Sequence, residues 1–122
     1  MIRSKEFPMK PYSSWLVVIV GKASGWELYD HMASAYSVEM PKLLKVEEDW
    51  AGCCFYKDST VVVWVANHKD YDGKETVVHE LFHATRKVMG YAAIRRLNKE
   101  NEECWAYLIG HMFHEVAVWL KL

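Results

Sequence analysis

The chain has 122 residues and a formal net charge of −1 at pH 7, with 52% apolar residues, six tryptophans and seven tyrosines. That is enough chain for one compact domain with a well-filled interior and leaves little room for accessory modules. Without a basic run, it speaks against nucleic acid or an anionic membrane as the main partner, and three cysteines form no disulfide framework.

In chain order, residues 1–14 read as an irregular lead-in, with Pro8 and Pro11 as breakers. Trp15 to Val20 is a continuous apolar, β-branched run ending at Gly21, which reads as a buried strand. The run is too short for a signal-peptide core or a membrane span. With the odd cysteine number pointing to a reducing compartment, the cytoplasm is the expected location. Trp26 to Met40 is ambiguous, with Leu28, His31, Met32 and Ala35 fitting a helical stripe that Pro41 ends. Leu43 to Asp49 reads as a turn or short helix.

Residues 51–56 and 60–66 form two strand-like segments around Lys57-Asp58-Ser59, the composition of a hairpin loop. Asp72-Gly73-Lys74-Glu75 reads as a helix start, with Asp72 as N-cap and Glu75 closing a capping box. Gly90 is the expected stop of that helix, and Tyr91 to Asn98 either extends it or forms a short helix of its own. Lys99 to Leu122 reads as a long helix whose apolar residues spread around most of its circumference. Such a helix is central to the fold or part of a homo-oligomeric interface. Its polar interruptions, Glu103, Tyr107, Gly110 and His114, fall near one line, with His111 at the margin. A polar stripe of this kind faces either a polar cleft or solvent.

The chemistry concentrates in His79-Glu80-Leu81-Phe82-His83, an H-E-x-x-H pattern in the middle of a predicted helix. Histidines four apart lie on one helix face, about 6 Å apart along the axis, near enough to share one metal ion. A carboxylate beside the first histidine can act as general base toward a water on that metal. The competing reading is a pair of partly buried histidines on a core helix. A catalytic zinc site needs a third protein ligand, and Glu103, on the polar stripe, is preferred over Glu102, which is turned about 100° away. The resulting His₂Glu set (His79, His83, Glu103) holds one zinc ion per chain and leaves a position for water or substrate. Glu80 would take the water's proton and hand it to the leaving amine. His111 and His114 lie too far along the helix to join Glu103 on one ion, and Cys104 reads as a small core residue. Cys53 and Cys54 are adjacent in a strand and face opposite ways, which is poor geometry for chelation.

The helix motif followed by a glutamate on a second helix resembles the gluzincins, the thermolysin-like zinc peptidases. The fuller strings Val78-His79-Glu80-Leu81-Phe82-His83-Ala84 and Glu103-Cys104-Trp105-Ala106-Tyr107-Leu108-Ile109-Gly110 are similar to small metallopeptidase-like proteins of phages and prophages. The resemblance covers about 70–110 and implies His79, His83 and Glu103 as ligands and Glu80 as catalytic base. It departs from the larger family at Tyr107, where thermolysin-like enzymes carry an aspartate that supports a ligand histidine. Those enzymes also take an oxyanion-stabilising histidine from a second domain; here Tyr107, His68 and His111 are the candidates, with Tyr107 the expected second catalytic residue.

The elements assemble into an α+β domain. A small sheet from 15–20, 51–56 and 60–66 packs against the motif helix, and the C-terminal helix delivers Glu103 from beneath. By resemblance, an extended peptide or protein substrate binds along a sheet edge, with Val61 to Val65 as the expected edge. Zinc-dependent hydrolysis of peptide bonds is the leading expectation. The alternatives are a hydrolase of a non-peptide amide, a regulatory peptidase with a single target, and a catalytically idle zincin-fold phage structural or interaction protein with zinc as a staple.

Overall fold

The computed structural model describes residues 2–40, 46 and 49–122. Its elements are β1 (Arg3–Pro8), β2 (Trp15–Val20), α1 (Gly25–Tyr36), β3 (Gly52–Lys57), β4 (Thr60–Val65), α2 (Gly73–Tyr91) and α3 (Glu102–Leu120). The strands form one mixed sheet in the order β1-β2-β4-β3, with β2 parallel to β4 and the outer pairs antiparallel. This is an α+β fold in three layers.

The two central strands show why their sequences are apolar without alternation. Val17, Ile19, Val62 and Trp64 face α1, where Leu28 and Met32 cover them. Leu16, Val18, Val61 and Val63 face the opposite layer, made by Val77, Leu81, Ala84 and Val88 of α2 and by Leu108, Met112 and Val116 of α3. A strand buried on both faces has no solvent side to carry polar residues.

Several expectations change. The lead-in is partly a strand, because Arg3–Pro8 pairs along the whole of β2. Its mostly charged, exposed face hides the alternation, as suits an edge strand protected against further pairing. The hairpin turn falls at Asp58-Ser59, between the paired Lys57 and Thr60. Val61 to Val65, expected as a peptide-binding edge, is instead interior and paired on both sides, so the edge beside α2 is β3. Helix α1 stops at Tyr36, closed by Ser37 in the left-handed region (φ 56°), before the expected stop at Pro41, which lies outside the described residues. Of the expected turn at 43–49, only Val46 and Asp49 are described.

Asp72 holds the N-cap position of α2, but the expected capping box with Glu75 does not form. Its main-chain oxygen instead accepts from the Thr76 amide and hydroxyl at 2.9 and 3.0 Å. A capping box does form at α1, between Ser24 and Glu27. Helix α2 continues through Gly90 to Tyr91, and the left-handed residue after it is Ala93 (φ 63°). Helix α3 buries one stripe, Leu108, Met112, Val116 and Leu120, at a four-residue interval, and exposes Phe113 and Val118. Cys104, expected in the core, is exposed near the start of α3.

Candidate metal centre

Helix α2 runs along β3 and β4 and presents different residues on its two flanks. Buried positions Val77, Leu81, Ala84 and Val88 form the face toward the sheet. At about 100° per residue, His83 and Thr85 lie about 160° apart around the helix. Thr85 points toward α3, its hydroxyl 2.8 Å from the Leu81 carbonyl and 3.4 Å from Met112 Sδ. The histidines therefore occupy the flank away from α3, beside β3.

On that flank the side chains converge. His79 Nε2 and His83 Nε2 lie 3.3 Å apart. Two nitrogens bound to one tetrahedral zinc at 2.0–2.1 Å stand about 3.3–3.4 Å apart, so the imidazole pair already has the spacing of two ligands on one ion. Ligand atoms of His79, Glu80 and His83 all lie within 4.8 Å of one another. Burial and the nearby cationic charges of His79, Arg86 and Lys87 hold the His83 imidazolium pKa below its ordinary value, which favours the neutral ring that a metal requires.

Glu80 is the unusual member. Its side chain is 7% exposed, against 66% for that of His79, and one carboxylate oxygen, Oε2, is buried without a hydrogen-bond partner among the described residues. The other, Oε1, lies 3.7 Å from His79 Nε2. Burial raises the Glu80 pKa above the ordinary carboxylate value, and His79 draws it part of the way back. A buried carboxylate lacking its full set of partners is costly to the fold, and such groups concentrate where a protein uses them.

Gly52, at the start of β3, makes this arrangement possible. A Cβ there would stand 2.6 Å from the Trp64 carbonyl oxygen, 3.1 Å from Thr76 Cγ2 and 3.3 Å from Glu80 Cγ. Only a residue without a side chain lets α2 approach the sheet so closely. Sequence reading passed over Gly52, although an isolated glycine at the head of a strand is itself a signal of close approach. Beyond it, an open cleft of about 970 Å³ runs between α2 and β3, at the upper end of the range for small-ligand sites. Cys53 and Cys54 both border this cleft, yet they pack in opposite layers, as expected of neighbours in a strand. Their thiols are pushed up to about 12, mainly by burial and then by the Glu80 carboxylate. Burial thus favours the protonated thiol at both positions.

The second helix does not bring its expected residues here. Helices α2 and α3 are antiparallel. Tyr91 meets Tyr56 near the β3–β4 turn, Cys104 and Tyr107 lie beside Tyr12 at the same end, and Trp119 packs on Phe7 and Arg3 further along. With the Thr85–Met112 contact as reference, Glu103 sits about 16 Å along the axes from the level of His83, and on the other flank. It is exposed and lies outside the group of ligand atoms, as does Glu102. Tyr107 is also removed from the pair: it stacks on His111 with ring centroids 6.0 Å apart and borders a separate cleft with Pro11 and Tyr12. The polar stripe of α3 thus takes the second course open to it, since Glu103, Tyr107, Gly110 and His114 are all exposed. His68, the third oxyanion candidate, is buried against the start of α2, where a Cβ on Gly73 would overlap its main chain.

No helix among the described residues is long and apolar enough to cross a membrane. No protein-family model, curated protein or solved structure matches the chain.

Proposed function

We propose that the protein is a zinc-dependent hydrolase of peptide bonds, with His79 and His83 as metal-holding residues and Glu80 as general base. The observation that carries the reading is the 3.3 Å separation of the two imidazole nitrogens beside a buried carboxylate whose Oε2 has no partner among the described residues. His79 and His83 would hold a zinc ion, which when bound would supply a Lewis acid for a carbonyl and bring the pKa of a water molecule toward 7. Glu80 Oε2 has free lone pairs and a raised pKa, which suits it to accept a proton from the attacking water and return it to the leaving amine. Among the described residues β3 is an edge strand bordering the cleft, and its main-chain groups would be open to an extended peptide.

The idle alternative, with zinc as a structural staple, has less behind it. Structural zinc sites are closed by four protein ligands, and a staple has no use for a buried carboxylate oxygen left free beside it. Glu103 lies outside the ligand group, so among the described residues His79 and His83 are the ligands assigned to the ion, one fewer than the three protein ligands of a catalytic zinc site. The odd cysteine number and the three free thiols support the cytoplasm as location, a bacterial host's cytoplasm if the chain is phage-encoded.

The test is digestion of an unfolded-protein peptide mixture by the zinc-loaded protein, read by mass spectrometry, with Glu80→Gln as control. New cleavage products that disappear with a chelator and fall about 10²–10⁴-fold in Glu80→Gln are expected. Zinc-loaded wild type that yields no cleavage, or Glu80→Gln as active as wild type, contradicts the proposal.

A further inference from the structure

The cleft does not end at His83. His83 and Lys87 border both the main cleft and a second hollow, continuing toward the C-terminal end of α2, that Arg86, Tyr91 and Arg95 help to form. The two ends carry opposite charge. Asp72 and Glu75 border the main cleft at the start of α2, whereas among the described residues no aspartate or glutamate borders the second hollow. Asp58, in the β3–β4 turn, is the acidic group whose charge reaches Tyr91 at its far rim.

Among the described residues, Arg86, Lys87 and Arg95 form no ion pair. Cations near a helix C-terminus ordinarily serve its open carbonyls. Here the carbonyls of Val88, Met89 and Gly90 are already taken by the amides of Ala92, Ile94 and Ala93, at 3.2, 2.9 and 3.1 Å. Lys87 is held in place instead, its Nζ 4.3 Å from the centroid of the Tyr56 ring, and Tyr56 meets Tyr91 edge-on at 6.3 Å. A Cβ on Gly90 would touch nothing within 4 Å, so the floor between the cations is open. Three cations without an ion pair among the described residues, around an open hollow and with one fixed on an aromatic face, are arranged to receive an anion that accepts several charge-assisted hydrogen bonds.

We infer that this end of the cleft is a carboxylate-binding subsite, and that Arg86, Lys87 and Arg95 select peptides carrying a carboxylate close to the bond that is cleaved. Selection at a scissile bond rests on the hydrolase reading, while the binding preference stands on the cations alone. Along α2, Lys87 is about 6 Å beyond His83, which an extended peptide spans in about two residues. The acidic opposite end favours a peptide whose other side is basic or ends in an ammonium, so the charge gradient also fixes direction. The carboxylate is either an acidic side chain or the peptide's own C-terminus, and both present the same group to the same cations.

Three fluorescein-labelled hexapeptides of otherwise neutral sequence separate these cases: one amidated, one amidated with a central glutamate, one with a free C-terminal carboxylate. Their Kd values are measured by fluorescence anisotropy on zinc-loaded and zinc-stripped protein, alongside hydrolysis of the same peptides. At least one carboxylate peptide is expected to bind about tenfold more tightly than the amidated neutral peptide, with or without zinc, and whichever binds better names the source. The advantage should shrink in high salt and vanish in Arg86→Ala/Arg95→Ala, whose zinc content is unchanged. Equal affinities across the set, or an advantage that survives in the double variant, overturns the subsite. Hydrolysis without charge preference overturns the subsite and leaves the hydrolase standing. Charge-selective binding without hydrolysis does the reverse.

Discussion

The two flanks of α2 divide the work of the molecule. Toward α3 the helix is dry, with Met89 buried and the Thr85 hydroxyl satisfied by its own helix, and it packs against the Leu108–Met112 stripe. Toward β3 it is open, and there the sequence places two imidazoles and a carboxylate whose Oε2 has no partner. One flank contributes stability and the other spends some of it on an unsatisfied polar group. The same helix can hold both because three and four residue spacings keep the two sets of side chains apart. Substitutions should therefore separate into two classes.

The largest effect is expected on the open flank. His79→Ala or His83→Ala should weaken zinc binding by more than about 100-fold, measured by competition with a chromophoric chelator, with little change in the circular dichroism of the zinc-free protein. On the dry flank, Leu108→Ala should cost about 2–5 kcal/mol in urea unfolding while the folded fraction binds zinc as before. A loss of zinc affinity in that variant would mean that the flanks are coupled.

Gly52→Ala tests the boundary between them. The new methyl meets the Trp64 carbonyl and Glu80 Cγ, so about 1–3 kcal/mol of stability should be lost together with turnover. The smallest effect concerns Glu80 itself. Its folded-state pKa is raised by burial, so the charged carboxylate penalises the fold above that pKa, and the penalty disappears below the unfolded value, about 4.3. Zinc-free Glu80→Gln should be more stable than wild type by about 1 kcal/mol at pH 7, with the difference closing as the pH falls toward 4. A constant difference across that range would show that the Glu80 charge costs nothing.

The sequence allowed the open flank to be read more easily than its surroundings. The histidine pair and Glu80 follow from helical spacing within five residues, and local geometry of that kind survives any tertiary arrangement. Strands β2 and β4 were legible because burial on both faces leaves continuous apolar runs. What lay beyond reach depends on which element packs where. Glu103 lies on a polar stripe in the sequence, but helix phase cannot say whether that stripe faces α2 or water; Leu108, Met112 and Val116 decide it by occupying the contact. Strand β1 was missed because an edge strand guarded by Arg3, Lys5 and Glu6 looks like a polar tail. The resemblance points to Val61–Val65, next to the motif helix, as the edge, whereas the pairing of β2 with β4 makes that strand interior and pushes β3 outward.

The measurement that bears most directly on the account is the zinc content of purified wild type, His83→Ala and Glu103→Ala after reconstitution and gel filtration, by inductively coupled plasma mass spectrometry. The arrangement of α2 and α3 predicts about one zinc per chain in wild type and in Glu103→Ala, and none in His83→Ala. No zinc in wild type contradicts the metal centre itself. Zinc in wild type that is lost from Glu103→Ala contradicts the separation of Glu103 from the histidine pair.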